Sequence, residues 1–538
     1  MKPSNKLVGL SLWKYAPVLA IILLLVYLLP LLTKAGSLFS ENFKISANGY
    51  DTTFLRSLIF AVTSSSLCII ISLRIAFFLS NIEASSKAGK SLSLLIVPFL
   101  IGNTSTAFIF KIILLRSPLM DWAYQSPLNL FLILLIIQLW QFGTLFVYLF
   151  WLSFKSIQNR FGQYFAAFRL TRFEYFKEIC LPHSRNLIIL LTFICFIFSF
   201  YEDVKISLIF RVSEGLDSEM ISHWIYRNFH SDLLIGYKYA IQNTNHFSLV
   251  TMLGLSLSFL IFGILFAFLI GRPQKKISFF TKRQKWNYQF SKISIVYFIP
   301  PIIVAIPLLS AFVFNDIHFE QISPLFSSLI LCIVGGSLAT ICAIFFSFSA
   351  RLINFNKMGS FNSFSYLFLF LLFVILLLPP IEIMISGYQW IHLLNLSESF
   401  SYIFFWLLGH IILSLPLLGG FLIVTHFQVT PNELNYCYVH NVRRNELFRL
   451  NFLKKFRTEY FLAFLFAFTL ILNEGLLNKV FSDRIPSFIS ALNESISSKN
   501  ADYSLSMLYY FLSLIIALLC ITVWIRSMKK NTNEKNTI

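Results

Sequence analysis

Runs of 20 or more mostly apolar residues recur along the whole chain, and short polar segments between them carry most of its charge. This pattern leaves few folds open. A helix rising 1.5 Å per residue needs about 20 residues to cross the hydrocarbon layer of a bilayer. Inside that layer every backbone N–H and C=O must be satisfied within the segment, so such runs are helices. The sequence predicts an all-α polytopic membrane protein with about twelve spans, near 14–33, 53–80, 91–115, 128–154, 186–210, 246–270, 293–314, 325–350, 364–388, 401–427, 458–480 and 505–526. The first run follows Lys2, Lys6 and Lys14 and is too long for a cleaved signal sequence, so it reads as an uncleaved anchor.

Composition agrees. Of 538 residues, 57% are hydrophobic and 12% charged, against about 25% charged in soluble domains. The net charge of +19 could point to nucleic acid, but the basic residues sit in short segments beside apolar runs, which excludes that class. The 62 Phe suit lipid-facing surfaces. The seven Cys form no CxxC pair and the nine His no paired-ligand spacing, so neither a metal nor another cofactor is implied.

Lys and Arg favour the cytoplasmic side. With the N-terminus inside, the basic segments 155–185, 271–292 and 428–457 and the C-terminal tail all fall inside, while loops 201–245 and 481–504 fall outside. Both termini are then cytoplasmic.

The second half resembles the first at an offset of 272 residues. There Gln163–Pro182 lies on Asn435–Lys454, with Tyr164/Tyr436, Arg172/Arg444, Glu174/Glu446, Phe176/Phe448 and Leu181/Leu453 identical, and Glu202 lies on Glu474. Each copy holds six spans, an even number, so the two halves share one orientation. The expected organisation is a six-span half over 1–270, a basic linker over 271–292 and a second six-span half over 293–538. VPFLIGN (97–103) and LPPIEIM (378–384) are a looser, Pro-containing echo in spans three and nine.

The repeated segment falls between spans four and five and between ten and eleven. Asn435 and Pro431 favour helix starts and Pro182 a helix end, which predicts a short helix lying across the cytoplasmic face. Its Arg and Lys residues, with Phe173, Phe176 and Phe448, suit a partner with an acidic rim and an apolar centre.

These segments resemble the EAA loop of the permease subunits of binding-protein-dependent ABC importers. That pattern is Glu-Ala-Ala, three residues, Gly, nine residues, Ile-x-Leu-Pro. Counted from Pro182, the first copy matches at Ile179, Leu181 and Pro182, has Gln163 for the Glu and Arg169 for the Gly, and carries Ala166 and Ala167 slightly late. The second keeps Leu453, begins at Asn435, has Asn451 and Lys454 for Ile and Pro, and places Asn441 at the Gly position, where Asn can adopt the left-handed conformation. The fused six-plus-six plan resembles the large permeases of ferric-iron and thiamine importers. The resemblance implies residence in a bacterial cytoplasmic membrane, two copies of a separate ATPase docked on these segments, a binding protein delivering a small solute from outside, and surrounding membrane lipid. It assigns ATPase coupling to Gln163, Ala166, Ala167, Arg169, Arg172, Phe176, Leu181, Pro182, Asn435, Asn441, Arg444, Phe448 and Leu453.

The chain itself is not expected to be an enzyme. AGKS (88–91) resembles the end of a phosphate-binding loop, but Ala84 stands where the first Gly is required. Charged residues at membrane depth are costly and tend to face a path or a partner. Glu202 and Glu474, late in spans five and eleven, and Glu382 in span nine are candidate path residues; for the first two an interfacial position is the plainer reading. Lys111 lies late in span three. The competing function is a secondary transporter driven by an ion gradient. It should bury more charge within its spans and lack matched cytoplasmic segments.

Overall fold

The computed structural model of the chain describes residues 50–80, 86–167, 172–202, 299–313, 323–353, 380–396, 399–426, 444–473 and 503–536, with shorter stretches and single positions around them, Tyr27, Lys205, Trp224 and 375–378 among these. Every regular element among the described residues is a helix. In chain order these are α1 (Tyr50–Leu79), the bent pair α2 (Gly89–Leu100) and α3 (Gly102–Leu115), α4 (Pro127–Gln158), α5 (Phe173–Phe200), α6 (Ile299–Val313), α7 (Ser323–Ile353), α8 (Pro380–Leu393), α9 (Ser399–His426), α10 (Arg457–Asn473) and α11 (Tyr503–Asn536). Among the described residues six of them, α1, α4, α5, α7, α9 and α11, are each long and apolar enough to cross a membrane, and α2 with α3 makes a seventh if the bent pair is one span. Expected spans seven, nine and eleven appear as the shorter helices α6, α8 and α10, of 15, 14 and 17 residues. Spans 14–33 and 246–270 lie almost wholly outside the described residues, as do loop 271–292 and residues 354–374.

The outer faces are apolar. Leu55, Ile59, Ile70 and Phe78 on α1 and Ile330 and Ile341 on α7 are each at least half exposed. A soluble protein avoids a contiguous stripe of this kind. On a membrane helix it is the lipid face.

Two groups of three helices form the body. α1, α4 and α5 pack together, and α7, α9 and α10 do the same. The offset of 272 residues carries α1 onto α7, α4 onto α9 and α5 onto α10. Small residues let the helices approach. On α7, a Cβ added at Gly336 would lie 3.2 Å from the Phe468 backbone nitrogen of α10. Ser64 of α1, aligned with Gly336, is fully buried.

The halves also interlock. Tyr27, in the first expected span, donates its hydroxyl to Ile383 O (3.1 Å), while its own carbonyl accepts from Ser386 (2.7 Å) and Trp390 (3.2 Å), all three on α8. In return α6, which opens the second half, packs on α3, and its Ile303 carbonyl accepts from Trp140 (3.2 Å) of α4.

Helix α4 carries a π turn at Leu139–Gly143. Such a turn disturbs the i→i−4 ladder and frees carbonyls. Two of them find hydroxyls: Gly143 O accepts from Ser72 of α1 (2.8 Å) and Trp140 O from Thr144 (2.7 Å).

Helix α5 differs from expectation at both ends. Pro182 does not end a helix. It stands in the first turn of the regular stretch Leu181–Phe200, directly after a π turn at Phe176–Cys180. Proline is tolerated there because its missing N–H falls where the α-helical ladder is only beginning. The described part of the repeated segment is therefore the root of the span, continuous with it, rather than a separate helix across the membrane face. At the other end the helix stops at Phe200, ten residues before the expected limit of span five.

Candidate functional site

Spans three and nine are both broken, in corresponding parts of the two halves. The expected continuous span 91–115 is instead α2 and α3, bent by 92° at Ile101–Gly102. Gly102 has φ 75°, in the left-handed region that residues with a Cβ avoid. Gly102→Val should lower stability by about 1–2 kcal/mol, read as an earlier unfolding midpoint in detergent. In span nine the chain bends at Leu378, and Pro380 opens α8. Interrupted segments at matched positions of two halves are a common way to build a solute site within a membrane.

A cavity of about 110 Å³ lies where these breaks meet. Asn103 lines it from α3, Phe198 and Tyr201 from the end of α5, Leu378 and Pro380 from the second break, His410 and Ser414 from α9, and Leu470 from α10. Phe198 and Leu470 are aligned positions of the two halves, so fifth and eleventh spans contribute equivalent walls. A smaller cavity of about 40 Å³ shares Asn103, Phe198 and Leu470 with it. The walls are mainly apolar with few polar groups. Asn103 accepts from Gln141 Nε2 (3.0 Å). The Tyr201 hydroxyl donates to Leu377 O and ties the end of α5 to the break in span nine. Ser222, from the outer loop, lines the same cavity and donates to Tyr201 O (3.2 Å).

Glu202 lies at neither an open interface nor an open wall. It is 2% exposed and pairs with Lys205 (Nζ–Oε2 2.5 Å), whose backbone N–H also donates to its other oxygen (3.1 Å). Lys205 Nζ donates further to Gln138 Oε1 (2.6 Å), and Gln138 Nε2 donates to Ser199 Oγ (2.8 Å). The ammonium is 5.8 Å from the Phe142 ring centroid. This closed network turns the chain inward after Phe200, which is why α5 ends early. The sequence reading singled out Glu202 and passed over Lys205; a Glu-x-x-Lys spacing at the end of a span was the available signal.

Glu382 is the contrasting case. It is fully buried in the first turn of α8, beside Pro380 and Ile381 of the cavity wall. Neither carboxylate oxygen has a hydrogen-bond partner, and the same holds for both side-chain atoms of buried Gln389, two turns further on. Lys111 is buried on α3. Glu474 lies outside the described residues.

Of the expected coupling residues, Arg169, Asn435 and Asn441 lie outside the described residues, and Gln163, Ala166, Ala167, Arg172 and Arg444 are described as backbone only. Gln163, Ala166 and Ala167 lie in the helix that runs on from α4 to Ala167. The two copies share one local form. A single helical turn starts at Arg172 and at Arg444, and a π turn follows from Phe176 and from Phe448. Burial repeats too: Tyr175 and Leu447 are buried, as are Cys180 and Phe452, while Glu174, Lys177, Glu446 and Arg449 are exposed. Phe176 and Phe448 are not the centre of an outward surface. Phe176 packs on Phe77 (4.8 Å between centroids) and Phe154 (6.0 Å), and Phe448 on Phe348 (4.9 Å). Leu453 is exposed and Leu181 half-buried. The outward face is thus one of charged residues and Phe173.

The chain matches no family model, no curated protein and no solved structure.

Proposed function

We propose that this chain is the transmembrane subunit of an ATP-driven importer, built from two six-span halves that enclose the solute path and offer one cytoplasmic segment each to a separate ATPase. One observation carries the reading: the same one-turn helix, π turn and burial pattern recur at Arg172–Cys180 and Arg444–Phe452, rooted in the corresponding helix of each half. A positive-inside loop needs basic residues but no fixed local geometry. Recurrence of the geometry fits two equivalent docking points for two copies of one partner. The resemblance to the EAA loop supplies the partner's class, and the cavity between the breaks supplies the path. On this reading the protein resides in a bacterial cytoplasmic membrane with both termini inside, and a binding protein meets the outer loops.

Purification of the tagged chain from its native membrane in mild detergent should recover an ATPase at two copies per chain. Arg172→Glu and Arg444→Glu together should reduce that recovery by about tenfold or more, the effect of losing a charge-assisted contact at each site. Absence of any ATPase after crosslinking would remove the basis of the reading.

A secondary transporter is the second reading, and the unpartnered Glu382 favours it, since ion-coupled carriers bury ionisable groups. Uptake into membrane vesicles separates the two. Dependence on ATP, insensitive to an ionophore, supports the importer; collapse with the ionophore alone supports the carrier.

A further inference from the structure

The buried face of α8 holds polar groups that the coupling mechanism does not use. At 3.6 residues per turn, Glu382, Ile385 and Gln389 share one side of the helix, about 10 Å from end to end. All three are fully buried. Among the described residues the two carboxylate oxygens and both amide atoms lack partners, whereas the neighbouring Ser386 is satisfied by Tyr27 O. Orphaned polar atoms of this kind require an explanation, and an isolated carboxylate in an apolar setting most of all.

The chemistry of the orphans defines what would satisfy them. Glu382 Oε1 and Oε2 and Gln389 Oε1 are three acceptors, and an alkylammonium presents three donors. Gln389 Nε2 remains as a donor for an acceptor elsewhere on the same ligand. The position of Glu382 in the first turn of a 14-residue helix favours the ionised carboxylate, because the N-terminal end of the helix carries partial positive charge. A bare metal ion fits less well: hard cations take six or more oxygen ligands, and no group of three or more His, Cys, Asp or Glu that could hold a metal occurs among the described residues. Pro380 and Ile381 connect this face to the cavity at the breaks, and Glu202, the other acid near the cavity, is already neutralised by Lys205.

We infer that Glu382 and Gln389 form a binding site for a small organic ammonium that also carries a hydrogen-bond acceptor, entered from the central cavity. The inference rests on reading that cavity as a solute path, but not on how transport is driven. Ile381, Ile383 and Ile385 around the site exclude water, so the charge contact is strong there and selects against neutral analogues.

The test uses the full-length chain in lipid nanodiscs, with no ATPase or binding protein, so its outcome is independent of the coupling partner. Radiolabelled ethanolammonium is the probe, measured by flow dialysis. Saturable binding is expected, weakened about tenfold or more by Glu382→Gln, as loss of a charge-assisted hydrogen bond requires. Gln389→Leu should weaken it less, and Glu382→Asp should retain it and serves as the folding control. Ethylene glycol, the neutral analogue, should not compete. Competition by ethylene glycol at equal concentration, displacement by sodium or potassium chloride at equal concentration, unchanged binding in Glu382→Gln, or no saturable binding to the unmodified chain would each overturn the site.

Discussion

Lys205→Met should destabilise the protein by about 3–5 kcal/mol, the cost of leaving a buried charge without its partner. Glu202 and Lys205 are each about 1% exposed at the side chain and 2.5 Å apart. Removing the ammonium strands the Glu202 carboxylate and also takes the donor from Gln138 Oε1. The double variant Glu202→Gln with Lys205→Met should recover much of the loss, because a neutral amide has no charge to bury and its oxygen can still accept from the residue-205 backbone N–H. Unfolding in detergent, followed by loss of monodisperse elution on heating, reads both variants. A single variant as stable as the unmodified protein would mean that the pair is solvated, and a double variant worse than the single would mean that the two residues act separately.

The same pair marks where the sequence was legible and where it was not. Helical spans follow from apolar runs, and the structure places helices at 50–79, 127–158, 323–353, 399–426 and 503–536 close to the predicted limits. These runs are uninterrupted, so length and hydrophobicity settle them. The fifth span is different. Residues 201–210 read as apolar enough to continue, but Lys205 turns back to Glu202 and Gln138, and three-dimensional pairing outweighs local hydropathy. The break in span three is a second instance. Pro98 drew attention in the sequence, yet it sits harmlessly in the first turn of Val97–Leu100, and the bend falls at Gly102, which alone can take the required φ. Pro182 was misjudged for the same reason. A proline marks a helix boundary, and sequence does not reveal whether the boundary is a start or an end when a π turn precedes it.

The recurrence at 272 residues was legible as five identities. The structure adds that the positions buried in one copy are buried in the other although the residues differ: Tyr175 against Leu447, and Cys180 against Phe452. Size and polarity drifted while the contact with the neighbouring helix stayed. Phe176 and Phe448, assigned to a docking surface from their place beside basic residues, turn out to hold the segment onto α1 and α7. Their loss should loosen both segments from their own half before it weakens any partner directly.

Gly336→Leu should have the second large effect, because it forces apart the helices on which one wall of the cavity depends. A Cβ at Gly336 would stand 3.2 Å from the Phe468 nitrogen and 3.3 Å from its Cα. These are backbone atoms and cannot rotate away, so α7 and α10 must separate or shift. Overpacking of this kind costs about 1–3 kcal/mol or more, and membrane helices have little hydrophobic drive to restore the contact once close packing is lost. Because α10 also carries Leu470 into the cavity wall, the displacement reaches the path. Gly420→Ala is the matched control: it also lies within a long helix, α9, but nothing stands within 4 Å of an added Cβ, so the change should be neutral or stabilise by up to about 1 kcal/mol through helix propensity. Thermal unfolding in detergent and solute uptake in vesicles should fall together for Gly336→Leu and hold for Gly420→Ala. Equal behaviour of the two variants would show that α7 and α10 are not in close contact, and the packing of the second three-helix group would have to be redrawn.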